Sequence, residues 1–396
     1  MPWGRPHAGD QHTLRPGWGA ATDGRTPPGD PARLVKHRRS GEASPPPNRR
    51  RAQAAATYGP AMVASPLPRR QLLQLGAAAL PLLLGGCRQD RHRLAASRRD
   101  LPALWAALLP RDWVLQTLEE PAAVSRSVLG AAAARPDLAQ LWDGWATALP
   151  ASVLQPFGAP ELLSRLAPLA GPVSRLFAPE GAPALAFPWA VDPWVLLLRE
   201  RPDLARRREE GWGLLLDPSL RGRLVLPSSP RLTLSLVETD PQRLRQLRRA
   251  TLANDERDGL SLLLTGEAEA MVLPRRRAVP LLRSDPRLAV VLPVQGAPLG
   301  WNLLLRPASS SAPPPLAWLE AALQPPLLPR LLAAGWVPPL PRPQLEAAAA
   351  SLPDQQGQLL VPPEAVLQRC WSLPPLKEQE RRNLQQLWDE AAPSPA

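Results

Sequence analysis

Between residues 101 and 341, short apolar runs alternate with longer amphipathic stretches. The runs WVLQTLE (113–119), DLAQLW (137–142), PALAFPW (183–189), RLVLP (223–227), AEAMVL (268–273) and RLAVVLP (287–293) have the length and apolar content of buried strands. Between them, 101–109, 120–134, 161–171 and 241–253 carry helical spacing. Strands that are apolar on both faces and alternate with helices predict an α/β protein with mainly parallel sheets covered on both sides. The chain holds 54 prolines, so element ends are the least defined part of this reading. PASSSAPPP (307–315) reads as a surface loop.

The formal charge of +12 points at first to a nucleic-acid partner. The charge is unevenly placed, however. Residues 1–61 carry ten Lys/Arg against four Asp/Glu, and Arg69 and Arg70 add two more cations, which leaves 35 basic and 31 acidic residues in 87–396. The long folded part is close to balance, and no nucleic-acid partner is expected. Its 310 residues (87–396) are enough for two domains.

Histidine occurs only at positions 7, 12, 37 and 92. Beyond residue 92 there is no imidazole to serve as the base of a Ser-His or Cys-His hydrolase or to build a histidine metal site. Neither cofactor nor metal is expected, and a histidine-free surface enzyme has no motif behind it.

The stretch PRRQLLQLGAAALPLLLGGC (68–87) orders cations, an apolar run and small residues in the way of an export signal. The run is too short to span a bilayer, which needs ~20 residues. Arg69 and Arg70 ahead of QLLQLG resemble a twin-arginine signal. LLGGC resembles a bacterial lipobox, which implies cleavage before Cys87 and acylation of its thiol, leaving Cys370 as a lone thiol. On this reading 1–61 is either disordered or upstream of the true start at Met62. Its Pro, Gly and Arg content gives it too little apolar surface to offset ordering entropy. The signal is 62–86 and the anchor linker 87–93, and the product sits in the periplasm, lipid-anchored to a membrane.

Six segments in a fixed order resemble the extracellular solute-binding proteins of ABC importers, of the spermidine/putrescine-binding type. They are DLAQLWDGWATALPASVLQPF (137–157), ALAFPWAVDPWVLLLRE (184–200), GWGLLLDPSLRGRLVLPSSPR (211–231), GLSLLLTGEAEAMVLP (259–274), VVLPVQGAPLGWNLLLRP (290–307) and WLEAALQPPLLPRLLAAGWVPPLP (318–341). The resemblance implies a two-lobed periplasmic-binding-protein fold, two mainly parallel sheets joined by two crossing strands with a ligand cleft between the lobes. It places 94–190 in lobe one, 191–294 in lobe two, and 295–396 in the rest of lobe one with the C-terminal helices. It also implies a monomer that hands a small solute to permease and ATPase subunits, a polyamine being the solute of that type.

In such binders carboxylates take the ammonium ends and aromatic faces take the methylene chain. The residues that the resemblance points to are Asp143 and Trp145 after the 137–142 strand, Trp189, Asp192 and Trp194 at the first crossing, Ser228, Ser229 and Arg231 after the 223–227 strand, and Trp301 with Asn302 at the return. Each Trp also suits a core, Asp143 a helix cap and Asp192 a turn before Pro193. Ser228, Ser229 and Asn302 stand where polyamine binders carry acids. Each missing carboxylate removes a charge-assisted bond of ~1.5–3 kcal/mol. A neutral, zwitterionic or anionic solute is therefore as compatible with these residues as a polyamine. A two-lobed lipoprotein that lost binding and became an assembly or scaffold factor is the alternative.

Overall fold

A computed structural model describes residues 91–256 and 258–393. The described residues all belong to one compact unit within 81–396. Arg69, Arg70, Cys87 and everything expected of 1–86 lie outside the described residues.

The strands are β1 (His92–Ser97), β2 (Trp113–Leu118), β3 (Leu138–Trp142), β4 (Leu154–Gln155), β5 (Ala186–Arg199), β6 (Leu224–Leu226), β7 (Thr251–Asn254), β8 (Ala270–Pro274), β9 (Leu288–Val291), β10 (Pro298–Pro307) and β11 (Trp371–Ser372). They run in the order β2-β1-β3-β10-β5-β8-β6-β7, with β4 and β11 on β10 and β9 on β5. β1 is parallel to β2 and β3, and β6 is parallel to β7 and β8. β5 and β10 run antiparallel to each other, and each runs antiparallel to its neighbour on the other side, β8 for β5 and β3 for β10.

The 14 residues of β5 make one of the two crossings. Ala186–Pro193 pair with β10 in the first lobe, and Trp194–Leu198 pair with β8 in the second. Pro193 has no N–H to donate, and it sits where the strand changes partner. The apolar run marks this strand over 183–189, and the resemblance places the crossing over 184–200, close to the observed Ala186–Arg199. The return passes through 292–297 between β9 and β10. His92 and Arg93, assigned to the anchor linker by sequence, open β1, where Arg93 also donates its backbone N–H to Asp137 Oδ2 at 2.8 Å.

The second half of β5 shows why the apolar runs are continuous. Trp194, Leu196 and Leu198 face one core with Leu224, Leu226, Ala270 and Val272, while Val195 and Leu197 face another with Val225, Met271 and Leu273. A strand buried on both faces has no polar positions to alternate. The first-lobe core holds Trp105, Trp189, Trp301, Trp318 and Trp336. Trp105 and Trp318 stack at 4.0 Å, and each indole N–H donates to the other's backbone carbonyl at 2.9 Å.

The C-terminal helix Glu378–Glu390, expected with the first lobe, packs against the second. Leu384, Leu387 and Trp388 recur at helical spacing and join the second-lobe core, and the Arg248 guanidinium lies 4.1 Å over the Trp388 ring. Among the described residues no helix is long and apolar enough to cross a membrane.

Candidate functional site

Charged and aromatic side chains converge where the lobes meet, just beyond the C-terminal ends of β1, β3 and β8. In open α/β sheets this is where the backbone turns away and side chains of several strands face one crevice. β1 delivers Asp100, β3 ends on Trp142, and β8 is followed by the helix Arg275–Ser284, which opens with three arginines. Asp192 reaches the same seam from the middle of β5.

Asp100 is buried and fully engaged. Its Oδ1 accepts from the Trp142 indole N–H at 3.0 Å and from Arg276 Nη2 at 3.0 Å, and its Oδ2 accepts from the Ser97 hydroxyl. Trp142 lies against Gly300 of β10 so closely that a Cβ there would come within 2.6 Å of Cζ3. The Arg276 guanidinium sits between two indoles, 4.9 Å from the Trp142 ring and 4.4 Å from the Trp336 ring.

Asp192 is 2% exposed, and guanidinium groups approach it from two sides. Its Oδ1 accepts the Arg276 backbone N–H at 3.0 Å and stands 3.9 Å from Arg275 Nε, while Oδ2 lies 3.4 Å from Arg276 Nε and accepts no hydrogen bond. Burial pushes its pKa up to about 6, against the opposing pull of Arg275 and Arg276. Arg275 is itself buried, donating to the backbone carbonyls of Leu359 at 3.1 Å, Leu360 at 3.0 Å and Val191 at 3.2 Å.

Asp143 makes a second, differently built corner. It opens the helix Asp143–Ala146 and accepts the Trp301 backbone N–H at 3.2 Å. Burial raises its pKa to about 6, with backbone hydrogen bonds and Arg231 acting the other way. Arg231 donates to the Pro374 carbonyl and borders a cleft of about 540 Å³ lined also by Lys377, Glu380 and Asn383. Ser229 caps the helix Pro230–Leu236 by accepting from the Leu232 N–H at 3.4 Å, and the exposed Ser228 donates its backbone N–H to Glu256 at 2.6 Å.

The remaining sequence candidates are spread between cores and surface. Trp189, fully buried, packs on Trp105 at 4.8 Å and Trp336 at 4.9 Å, at a bulge where the β5–β10 register slips. Trp194 lies in the second-lobe core. Trp301 and Asn302 are consecutive strand residues and so point to opposite faces. Trp301 donates its indole N–H to Ser372 Oγ at 2.9 Å, and Asn302 Oδ1 accepts from Gln140 at 3.2 Å inside the sheet. Trp145 is 39% exposed. Asp143 and Trp301 are thus brought together through a backbone amide, and Asp192 joins residues that the sequence did not nominate.

Those residues are Asp100, Trp142, Arg275, Arg276 and Trp336. One signal was available. Helix N-termini favour acids, because the unpaired N–H groups carry partial positive charge, yet Arg275–Ser284 opens PRRR with no acid in its first turn. A run that breaks this preference needs specific partners, which Arg275 and Arg276 find across the seam.

No protein-family model and no curated protein matches the sequence. Solved structures do. The spermidine/putrescine ABC transporter substrate-binding protein of Streptococcus pneumoniae, in complex with calcium and HEPES, superposes with a TM-score of 0.62 at 12% identity, covering 76% of this chain and 98% of its own. A putative spermidine/putrescine ABC transporter protein of Listeria monocytogenes gives 0.56 at 14%, covering 76% and 98%. A Trichodesmium protein in complex with iron and citrate gives 0.53 at 15%, covering 76% and 99%. The architecture of this chain is the two-lobed periplasmic-binding-protein fold of these neighbours.

Proposed function

We propose that this chain is the solute receptor of an ABC-type importer, which captures a small solute between its lobes and hands it to permease and ATPase subunits. The observation that carries the reading is the convergence of buried charge at the interlobe seam, with Asp100, Asp192, Arg275 and Arg276 meeting where the parallel strands end. Burying charges is costly, and in a two-lobed fold it is at the seam that such charges meet a ligand. Capture and release proceed by a hinge at the two crossings, without bond-breaking chemistry.

In this proposal export is directed by Arg69 and Arg70, and a lipid on Cys87 holds the product at a membrane on the periplasmic side. A polyamine-like solute is the class suggested by the sequence resemblance and by the names of two neighbours. Asp143, Trp145 and Arg231 remain the candidate contacts of the sequence reading, while Asp192, with Asp100, Trp142 and Trp336, is engaged by Arg276 at the edge of the site. Trp189, Trp194, Trp301 and Asn302 support the walls from behind, while Ser229 caps the helix Pro230–Leu236 and Ser228 lies exposed beside it.

A thermal-shift screen with polyamines, amino acids and small anions tests the reading, since a ligand of the native state stabilises it by RT ln(1 + [L]/Kd). One class should raise Tm in a concentration-dependent way, and a native mass spectrum of protein purified without added ligand should show its mass. The seating of Arg276 favours one second reading, a two-lobed lipoprotein that no longer carries solute and serves as an assembly or scaffold factor. A flat screen together with an empty mass spectrum would select it.

A further inference from the structure

The surroundings of Arg276 have the chemistry of a cation receptor. Its guanidinium meets one carboxylate at 3.0 Å (Asp100) and a second at 3.4 Å (Asp192), and it donates to the Arg99 carbonyl at 3.2 Å. It lies between the faces of Trp142 and Trp336, with its side chain only 12% exposed. Two acids, a carbonyl and two indole faces around a desolvated cation are what a free guanidinium or primary ammonium would require. Here the cation belongs to the protein. Asp100, Trp142 and Trp336 stand on the first lobe and Asp192 on the crossing strand, whereas Arg276 comes from the second lobe.

We infer that Arg276 is a tethered occupant of an interlobe cation cage and that it keeps free cations out of that cage, leaving Asp143, which accepts the Trp301 amide, as the seam carboxylate open to a cationic solute. The tether decides the competition. A group held on the same molecule acts at an effective concentration of roughly millimolar or more. A free cation offering the same contacts at micromolar concentration does not displace it. The backbone N–H of Arg276, bonded to Asp192 at 3.0 Å, fixes the start of the stem, and Gly335, at a φ of +89°, packs against the Arg276 backbone where a Cβ would come within 3.0 Å of the Arg276 Cα. The inference is independent of the importer role, because its test needs neither the natural solute nor a permease.

The test uses the full chain as wild type, Arg276→Ala and Arg276→Lys, with methylguanidinium as the probe, followed by calorimetry and thermal shift. Arg276→Ala should bind methylguanidinium at least about tenfold more tightly than wild type, a difference of about 1.4 kcal/mol, and gain Tm with it. Arg276→Lys keeps a tethered cation and should behave as wild type does. Small-angle scattering should show a larger radius of gyration for Arg276→Ala that contracts when the probe is added. A folded Arg276→Ala that binds the probe no better than wild type overturns the inference, as does wild type binding it equally well. Should Arg276→Ala not fold, Arg276→Gln retains a stem between the indoles. Indifference of the folded Gln variant to the probe, or failure of millimolar probe to restore folding to either variant, counts against the inference.

Discussion

Asp143 and Asp192 form an instructive pair. Both are buried aspartates at strand ends or crossings facing the interlobe seam, and in both burial pushes the pKa up to about 6. Their compensation differs. Asp192 is flanked by Arg275 and Arg276 within 3.4–3.9 Å, so its charge belongs to a closed set of partners. Asp143 has the Trp301 amide at 3.2 Å and the more distant field of Arg231. A buried carboxylate with two guanidinium partners ties elements together, whereas one held mainly by a backbone amide keeps acceptor capacity for an incoming group.

The largest effect expected from breaking this comparison is on the Asp192 side. Arg275→Ala removes one of two cations from a fully buried carboxylate and leaves three backbone carbonyls without their donor. Urea unfolding should show a loss of about 3–5 kcal/mol. A loss under about 1 kcal/mol would mean that Arg276 alone compensates Asp192.

The pH dependence sharpens the Asp143 side. A carboxyl with a raised native pKa holds its proton longer in the folded state than in the unfolded one. Its contribution is favourable at low pH and is lost as pH rises from the usual carboxylate range, near 4, through about 6. Across that window the share due to Asp143 is about 3 kcal/mol, at 1.36 kcal/mol per unit. Asp143→Asn keeps an acceptor for the Trp301 amide and should remove that share of the slope between pH 4 and 6.5. A variant slope equal to wild type would show that Asp143 stays charged.

A smaller change is expected at Gly300, where a Cβ would come within 2.6 Å of the Trp142 ring. Gly300→Ala should push the indole off its seat at a cost of about 1–3 kcal/mol, with an altered near-ultraviolet dichroism signal. An unchanged spectrum would show that Trp142 is free to shift. The smallest stability effect belongs to Arg231→Ala, about 0.5–1.5 kcal/mol for a half-buried guanidinium that donates to the Pro374 carbonyl and favours the charged form of Asp143. If the solute is anionic, the same variant should nevertheless weaken its binding, which calorimetry would register.

The α/β character was legible in the sequence because runs such as RLVLP and AEAMVL are strands buried on both faces, and their apolar continuity survives without any knowledge of neighbours. The edges were less legible. β7 (Thr251–Asn254) was absorbed into the preceding helix pattern, since TLAN has no strand signature apart from its pairing with β6. For the site, Asp143 and Asp192 stood out as acids beside tryptophans. Trp189, Trp194 and Trp301 look the same in sequence whether they line a cleft or fill a core, because an indole suits both. The burial of Trp189 against Trp105 and Trp336, and of Trp301 against Ser372, depends on residues more than 70 positions away.

Local chemistry acts through neighbours along the chain. It therefore determined the strand–helix alternation, the near-neutral charge of 87–396, the lack of imidazole beyond residue 92 and the export-like stretch ending at Cys87. The partners of a charge are set by contacts across space. Only the tertiary structure decided that Arg276 would meet Asp100 across 176 positions and Asp192 across 84, between two indoles that the sequence places nearly 200 residues apart.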